Sequence, residues 1–190
     1  MKLKMKNGLI LVAVVASGAA LADEQGHSDQ FSGLHVELLK TGYTAKHELE
    51  NGVTADTLYG WGVQAGYELN GYHDFVASIS RQDGELNDDT NSDIRLGGNA
   101  YKLAWNSGYT FDVLPRVLSI KPYGILGWTW LDGSATDDDE AFSQKESSYT
   151  YGIGLKANIL EDFTVGAEWT RGEFYGSDMD TVSLMAGIKF

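Results

Sequence analysis

The sequence predicts an all-β fold, an eight-stranded antiparallel transmembrane β-barrel, and three observations predict it. Apolar and polar residues alternate with period two in one segment after another, as they do in a strand whose two faces meet different surroundings. The polar links between segments are alternately long and short, as in barrels with long external loops and tight turns on the opposite side. Aromatic residues collect at the segment ends, where a strand would cross the two membrane interfaces.

The chain opens with Lys2, Lys4 and Lys6 ahead of an apolar run over 9–15 and small residues leading to Ala20-Leu21-Ala22. That pattern predicts a secretory signal peptide over 1–22, cleaved between Ala22 and Asp23, then a short lead over 23–30 and a barrel domain over 31–190. The run is too short for a spanning helix, which needs roughly 20 apolar residues. The formal net charge is −13 and becomes more negative once the leader lysines are removed. Such a field repels nucleic acid, so no DNA or RNA partner is expected. The chain has no cysteine, which excludes disulfides, thiolate metal sites and a lipidated cysteine.

In chain order the strands are expected over 31–39, 59–69, 74–82, 101–111, 118–131, 149–159, 163–170 and 181–190. In the second, Tyr59, Trp61, Val63, Ala65, Tyr67 and Leu69 share one face, opposite Gly60, Gly62, Gln64, Gly66 and Glu68. In the sixth, Tyr149, Tyr151, Ile153, Leu155, Ala157 and Ile159 oppose Thr150, Gly152, Gly154, Lys156 and Asn158. The seventh sets Phe163, Val165, Ala167 and Trp169 against Thr164, Gly166, Glu168 and Thr170; the eighth sets Val182, Leu184, Ala186, Ile188 and Phe190 against Ser183, Met185, Gly187 and Lys189. The fifth is irregular: Gly124 and Gly127 lie three apart and Pro122 cannot donate to a ladder, so a bulge or register change is expected there. Long polar links are expected over 41–57, 83–93, 132–148 and 172–180, with short turns near Asn70-Gly71, Leu114-Pro115 and Glu161-Asp162.

The polar face is crowded with glycine, which a narrow eight-stranded interior needs and a solvent-facing surface does not. The apolar face is therefore expected outward, against lipid, with Trp61, Val63, Ile153, Leu155, Val165 and Leu184 among its residues. Phe31, Tyr67, Phe75, Tyr109, Phe111, Phe163 and Phe190 lie near the short turns; Tyr59, Tyr101, Trp130, Tyr149 and Trp169 lie near the long links. These are two aromatic girdles.

Terminal Phe190, after outward Ile188 and Ala186, resembles the carboxy-terminal signal read by the outer-membrane barrel assembly machinery. The mature chain resembles small barrels of the outer-membrane protein X, Ail and NspA type and the barrel domain of outer-membrane protein A. The resemblance implies a place in the bacterial outer membrane, contact with its lipid and lipopolysaccharide, and the assembly machinery as a partner during biogenesis. It leaves activity open, because the family includes adhesins, invasion and serum-resistance factors.

Inside the barrel the polar face would carry Glu37, Glu68 and Glu168 with Lys102, Lys156 and Lys189, and unpaired charge in that confined space is costly. They are expected to form an interior charge network, with Lys156 meeting Glu168 across the turn at Glu161-Asp162. Outside, Lys40, Arg81, Arg95 and Arg171 fall on the outward face near the long links, a basic collar suited equally to lipopolysaccharide phosphates or to balancing the nearby loop carboxylates. The links carry Asp137-Asp138-Asp139-Glu140 and Asp83, Glu85, Asp88, Asp89 and Asp93. From Asp89 the spacing departs from a calcium loop, with Ile94 at the turn-glycine position and Ala100 at the bidentate-glutamate position.

Histidine is scarce: His27 precedes the barrel, His35 points inward, His47 is in the first long link and His73 at a short turn. His47 with Ser134, Ser143, Ser147 or Ser148 could in principle build a hydrolytic site, but no spacing favours one. The expectation is a monomeric, non-enzymatic surface protein without cofactor, acting through acidic loops in adhesion, host-protein binding or envelope integrity. A lipid A or peptide hydrolase with a loop-borne site, and a small channel, are the alternatives.

Overall fold

The structure, a computed structural model, describes residues 32–45, 58–69, 71–87, 93–114, 117–137, 140–160, 162–174 and 176–190. The expected leader, lead and Phe31 lie outside these residues, as do His27 and His47. The described strands are β1 Gly33–Ala45, β2 Leu58–Leu69, β3 His73–Asn87, β4 Asp93–Gly108, β5 Phe111–Leu114, β6 Leu118–Asp137, β7 Glu140–Ile159, β8 Phe163–Phe174 and β9 Ser177–Lys189. Neighbours pair antiparallel, and β9 returns to β1. Both β4 and β5 pair with β6, so β5 continues β4 after a break at Tyr109 and Thr110. Eight staves therefore close into one barrel, the fold class read from the sequence.

Closure gives each stave, along its length within the barrel, one enclosed and one outer face. Glu37, Gln64, Glu68, Lys156 and Glu168 are buried in the lumen, while Trp61, Val63, Ile153, Leu155, Val165 and Leu184 are exposed on the outside. Large apolar residues thus face outward and charged ones inward, the reverse of a water-soluble barrel and the arrangement a lipid surround requires. Two small apolar clusters sit inside: Tyr43, Ala100, Leu131 and Phe174 near the ends of the staves that lead to the long links, and Val76, Ala104, Tyr123 and Ile125 on the wall formed by β3, β4 and β6.

Two expectations need correction. The strand from Leu118 has neither bulge nor register change: its pairing with β7 runs unbroken from Leu118↔Ile159 to Asp137↔Glu140, and with β4 from Gly108↔Tyr123 to Arg95↔Thr136. Pro122 is accommodated because its carbonyl faces the break in the fourth stave, accepting from the Tyr109 N–H at 3.3 Å. A strand residue's N–H and C=O point the same way, so the missing donor is aimed at that break and costs no ladder bond. The irregularity lies instead on the facing side, between Asp112 and Leu114 of β5.

The second correction concerns the links. Residues 83–93 and 132–148 are largely strand, because β3 pairs with β4 as far as Asn87↔Asp93 and β6 with β7 as far as Asp137↔Glu140. Likewise β8 and β9 pair up to Phe174↔Ser177, leaving a tight turn where a long link was expected. At 20 residues each, β6 and β7 exceed the roughly 10 residues a tilted strand needs to cross a bilayer, so their hairpin continues roughly 30 Å further along the strand direction.

Candidate functional site

The alternation that turns apolar residues outward forces charged ones into the lumen, where each must find a partner. Near the short-turn end Glu68 of β2 is held from two sides, by Lys121 of β6 at 2.6 Å and Lys189 of β9 at 2.9 Å. Beside it Asp74 is directly opposite Glu68 in the β2–β3 register, a like-charge pair that is unfavourable by itself. Lys156, entering from β7, offsets this: its Nζ stands 3.0 Å from Asp74 and 3.5 Å from Glu37. His35 Nε2 lies 2.9 Å from Asp74 Oδ1. Glu37 also accepts from Gln64 at 2.8 Å and Thr164 at 3.1 Å. Further along the lumen Glu168 accepts from Lys102 at 2.8 Å and from the Tyr123 hydroxyl at 2.9 Å.

These contacts mostly join staves that are not neighbours, so they run across the lumen instead of along its wall. Two glycines make room for them. A Cβ at Gly66 would strike the His35 ring, and one at Gly154 would strike Tyr123. The expected contact between Lys156 and Glu168 is replaced. The two are a diagonal step apart, since Lys156 pairs with Gly166 and Gly154 with Glu168, yet Lys156 turns to Asp74 and Glu37 while Glu168 is taken by Lys102 and Tyr123. Barrel closure brings the far wall closer to each than its diagonal neighbour.

Lys121, Asp74 and Tyr123 were missed as members of this cluster. The irregular look of β6 hid the first and last, although Ser119, Lys121, Tyr123 and Ile125 do alternate inward and are buried. For Asp74 the signal was the phase of Ser78 and Ser80, which carries it into the lumen.

On the outer face Lys40 and Arg81 flank Trp61 in one cross-strand row, with Lys40 Nζ 5.4 Å from the indole centroid. Arg81 is exposed, with Nε 3.6 Å from Asp83. Arg171 is committed to Asp180 through two bonds, Nε to Oδ1 at 2.7 Å and Nη2 to Oδ2 at 3.1 Å, and lies over the Trp169 ring. The Asp180 carboxylate beside it raises the Arg171 pKa. The backbone of Arg95 pairs with Glu85 and Thr136, and its side chain lies outside the described residues. The collar thus has two different parts: a Lys40-Trp61-Arg81 row facing outward and a neutralised Arg171.

The acidic run is at the tip of the longest hairpin, where Asp137 pairs with Glu140; Asp138 and Asp139 lie outside the described residues. Lys145 reaches Asp132 at 2.7 Å lower on the same hairpin. The candidate serines are dispersed: Ser134 Oγ donates to the Gly97 carbonyl, Ser148 Oγ to the Tyr149 carbonyl, and Ser147 is exposed. The Ser143 side chain is outside the described residues. His73 sits at a short turn against Trp105, at the opposite end of the barrel. Among the described residues no three histidines or carboxylates gather as metal ligands. Phe190 is exposed, and its N–H closes the seam by donating to the Leu34 carbonyl at 2.7 Å.

Residues 8–190 match the family described as Outer membrane protein beta-barrel domain. The attachment invasion locus protein of Yersinia enterocolitica is 26% identical over 156 residues, which covers 80% of this chain and 84% of that protein. The N-terminal β-barrel domain of Pseudomonas aeruginosa OprF shares the fold with a TM-score of 0.57 at 19% identity, over 84% of this chain and 99% of the other. Ail of Yersinia pestis, crystallised with the heparin analogue sucrose octasulfate, gives a TM-score of 0.56 at 18% identity, over 84% and 97%. The family match runs through every described strand, and the chain belongs to the outer-membrane protein β-barrel family.

Proposed function

We propose that the chain is a non-enzymatic surface protein: a closed barrel that anchors it in the outer membrane and acidic outer hairpins that make contact with other molecules. The observation that carries this reading is the β6–β7 hairpin, paired out to Asp137↔Glu140, far longer than membrane crossing requires. A lumen crossed by Lys156–Asp74, Lys121–Glu68 and Lys102–Glu168 supports an anchor over a channel. The partner that fits is a basic protein surface of a host, in adhesion or factor binding. The Yersinia pestis relative was crystallised with a sulfated sugar, a polyanion; here the tip of the longest hairpin carries the run Asp137-Asp138-Asp139-Glu140, which favours a cationic ligand. Purified protein in nanodiscs should bind an immobilised cationic protein in a salt-sensitive way and immobilised heparin poorly. The reverse preference would reject the assignment of partner.

The exposed Lys40-Trp61-Arg81 row favours a second, compatible contact, with lipopolysaccharide phosphates. Replacing Lys40 and Arg81 by Gln should lower retention on a lipopolysaccharide matrix. Arg171→Gln should change it less, because Asp180 already holds that guanidinium. Phe190 remains the residue we assign to recognition by the assembly machinery, and the protein is taken to act as a monomer.

A further inference from the structure

The short-turn rim of the barrel is uneven. Tyr72, Tyr109 and Phe111 form an edge-to-face aromatic ladder there, with centroids 5.5 and 4.7 Å apart, which marks an interface level for the fourth stave. Beyond an interface the chain should turn polar. Asp112 obeys this, but four residues around it do not: Val113 and Leu114, then Val117 in the next turn and Leu160 in the turn between β7 and β8. All four are aliphatic and 51%, 54%, 46% and 57% exposed in that order.

The backbone ties these residues together, and one of them holds an unusual conformation. The Val117 N–H donates to the Leu114 carbonyl within its own turn at 3.0 Å, and the Leu160 N–H joins the two turns by donating to the Val117 carbonyl at 2.9 Å. Leu160 also holds a left-handed φ of 53°, whereas the other described residues with positive φ are Gly71 and Gly176. A bulky side chain in that region is strained, and a turn facing water would take glycine or asparagine there. The aliphatic surface is continuous with the lipid belt, because Leu118 pairs with Ile159 and Ile159 with exposed Phe163.

We propose that the paired turns carrying Leu114, Val117 and Leu160 are a lipid-docking lobe that enters the phospholipid leaflet of the outer membrane. The apolar belt is therefore deeper on the β5–β8 side than elsewhere, and the barrel meets the bilayer with a tilt or a local distortion that accommodates the mismatch.

The chain has no native cysteine, so single-cysteine spin labels report directly on this rim. Labels would be placed at Leu114→Cys, Val117→Cys and Leu160→Cys, with Leu155→Cys as the lipid reference and Ser134→Cys as the aqueous one. Each variant is first checked for the heat-modifiable electrophoretic shift of a folded barrel, then reconstituted in vesicles of phosphatidylethanolamine and phosphatidylglycerol. The lobe predicts that oxygen relaxes all three labels more than a water-soluble nickel complex does, as at Leu155. Nickel-dominated relaxation at the three positions, as at Ser134, would overturn it. So would protection that appears only in native outer-membrane vesicles, since a protein partner would then cover the patch.

Discussion

At the residue scale the lumen is a set of charges that must be removed in pairs. Lys156 serves Asp74 and Glu37 at once, so Lys156→Met leaves two buried carboxylates without their lysine and should destabilise the barrel by about 3–5 kcal/mol in denaturant unfolding from lipid vesicles. Adding Asp74→Asn should restore part of that loss, because the like-charge contact with Glu68 disappears with it. A double-mutant cycle on Lys102 and Glu168 should show a larger coupling than one on Lys156 and Glu168, as only the first pair is in contact. Equal couplings would contradict the geometry. Inward direction was legible for Glu37, Glu68, Lys102, Lys156, Glu168 and Lys189, since alternation decides it residue by residue. Partner choice was not, because it depends on which walls closure brings together.

At the element scale, stability and reach are separate properties of the same strands. Leu155 and Val165 are exposed on staves whose opposite faces carry Lys156 and Glu168, so their outward direction follows from the same register. Leu155→Arg should cost roughly 2–4 kcal/mol near the bilayer midplane. Arg tolerated there without loss would place that face away from lipid. The strand extents were the part least readable from sequence. Residues 132–148 are rich in Ser, Asp and Glu and look like a loop, yet they form two paired strands. In a hairpin that stands clear of the membrane both faces meet water, so the apolar alternation that reveals a membrane strand is absent. The β6 phase was obscured for another reason: Gly124 faces outward and Gly127 inward, and two glycines three apart mimic a register slip where none exists.

On the scale of the whole molecule, a ring of eight staves closed through β9 and β1 holds the charge network in place, and the network in turn closes the lumen. The function we propose then rests on what stands outside the membrane, above all the β6–β7 hairpin. In planar bilayers the wild-type protein should show no steady conductance, and Lys102→Met with Glu168→Gln should leave it closed because the Lys156 and Lys121 contacts remain. The most direct measurement of the account as a whole removes the hairpin tip and keeps the barrel. Gly133 pairs with Gln144, so residues 133–144 can be replaced by an Asn-Gly turn joining Asp132 to Lys145 without disturbing the ladder below. Bacteria displaying this variant should retain a folded, heat-modifiable barrel at the cell surface and lose binding to the cationic host protein. Full binding by the folded, trimmed barrel would contradict the claim that the outer hairpin makes the contact.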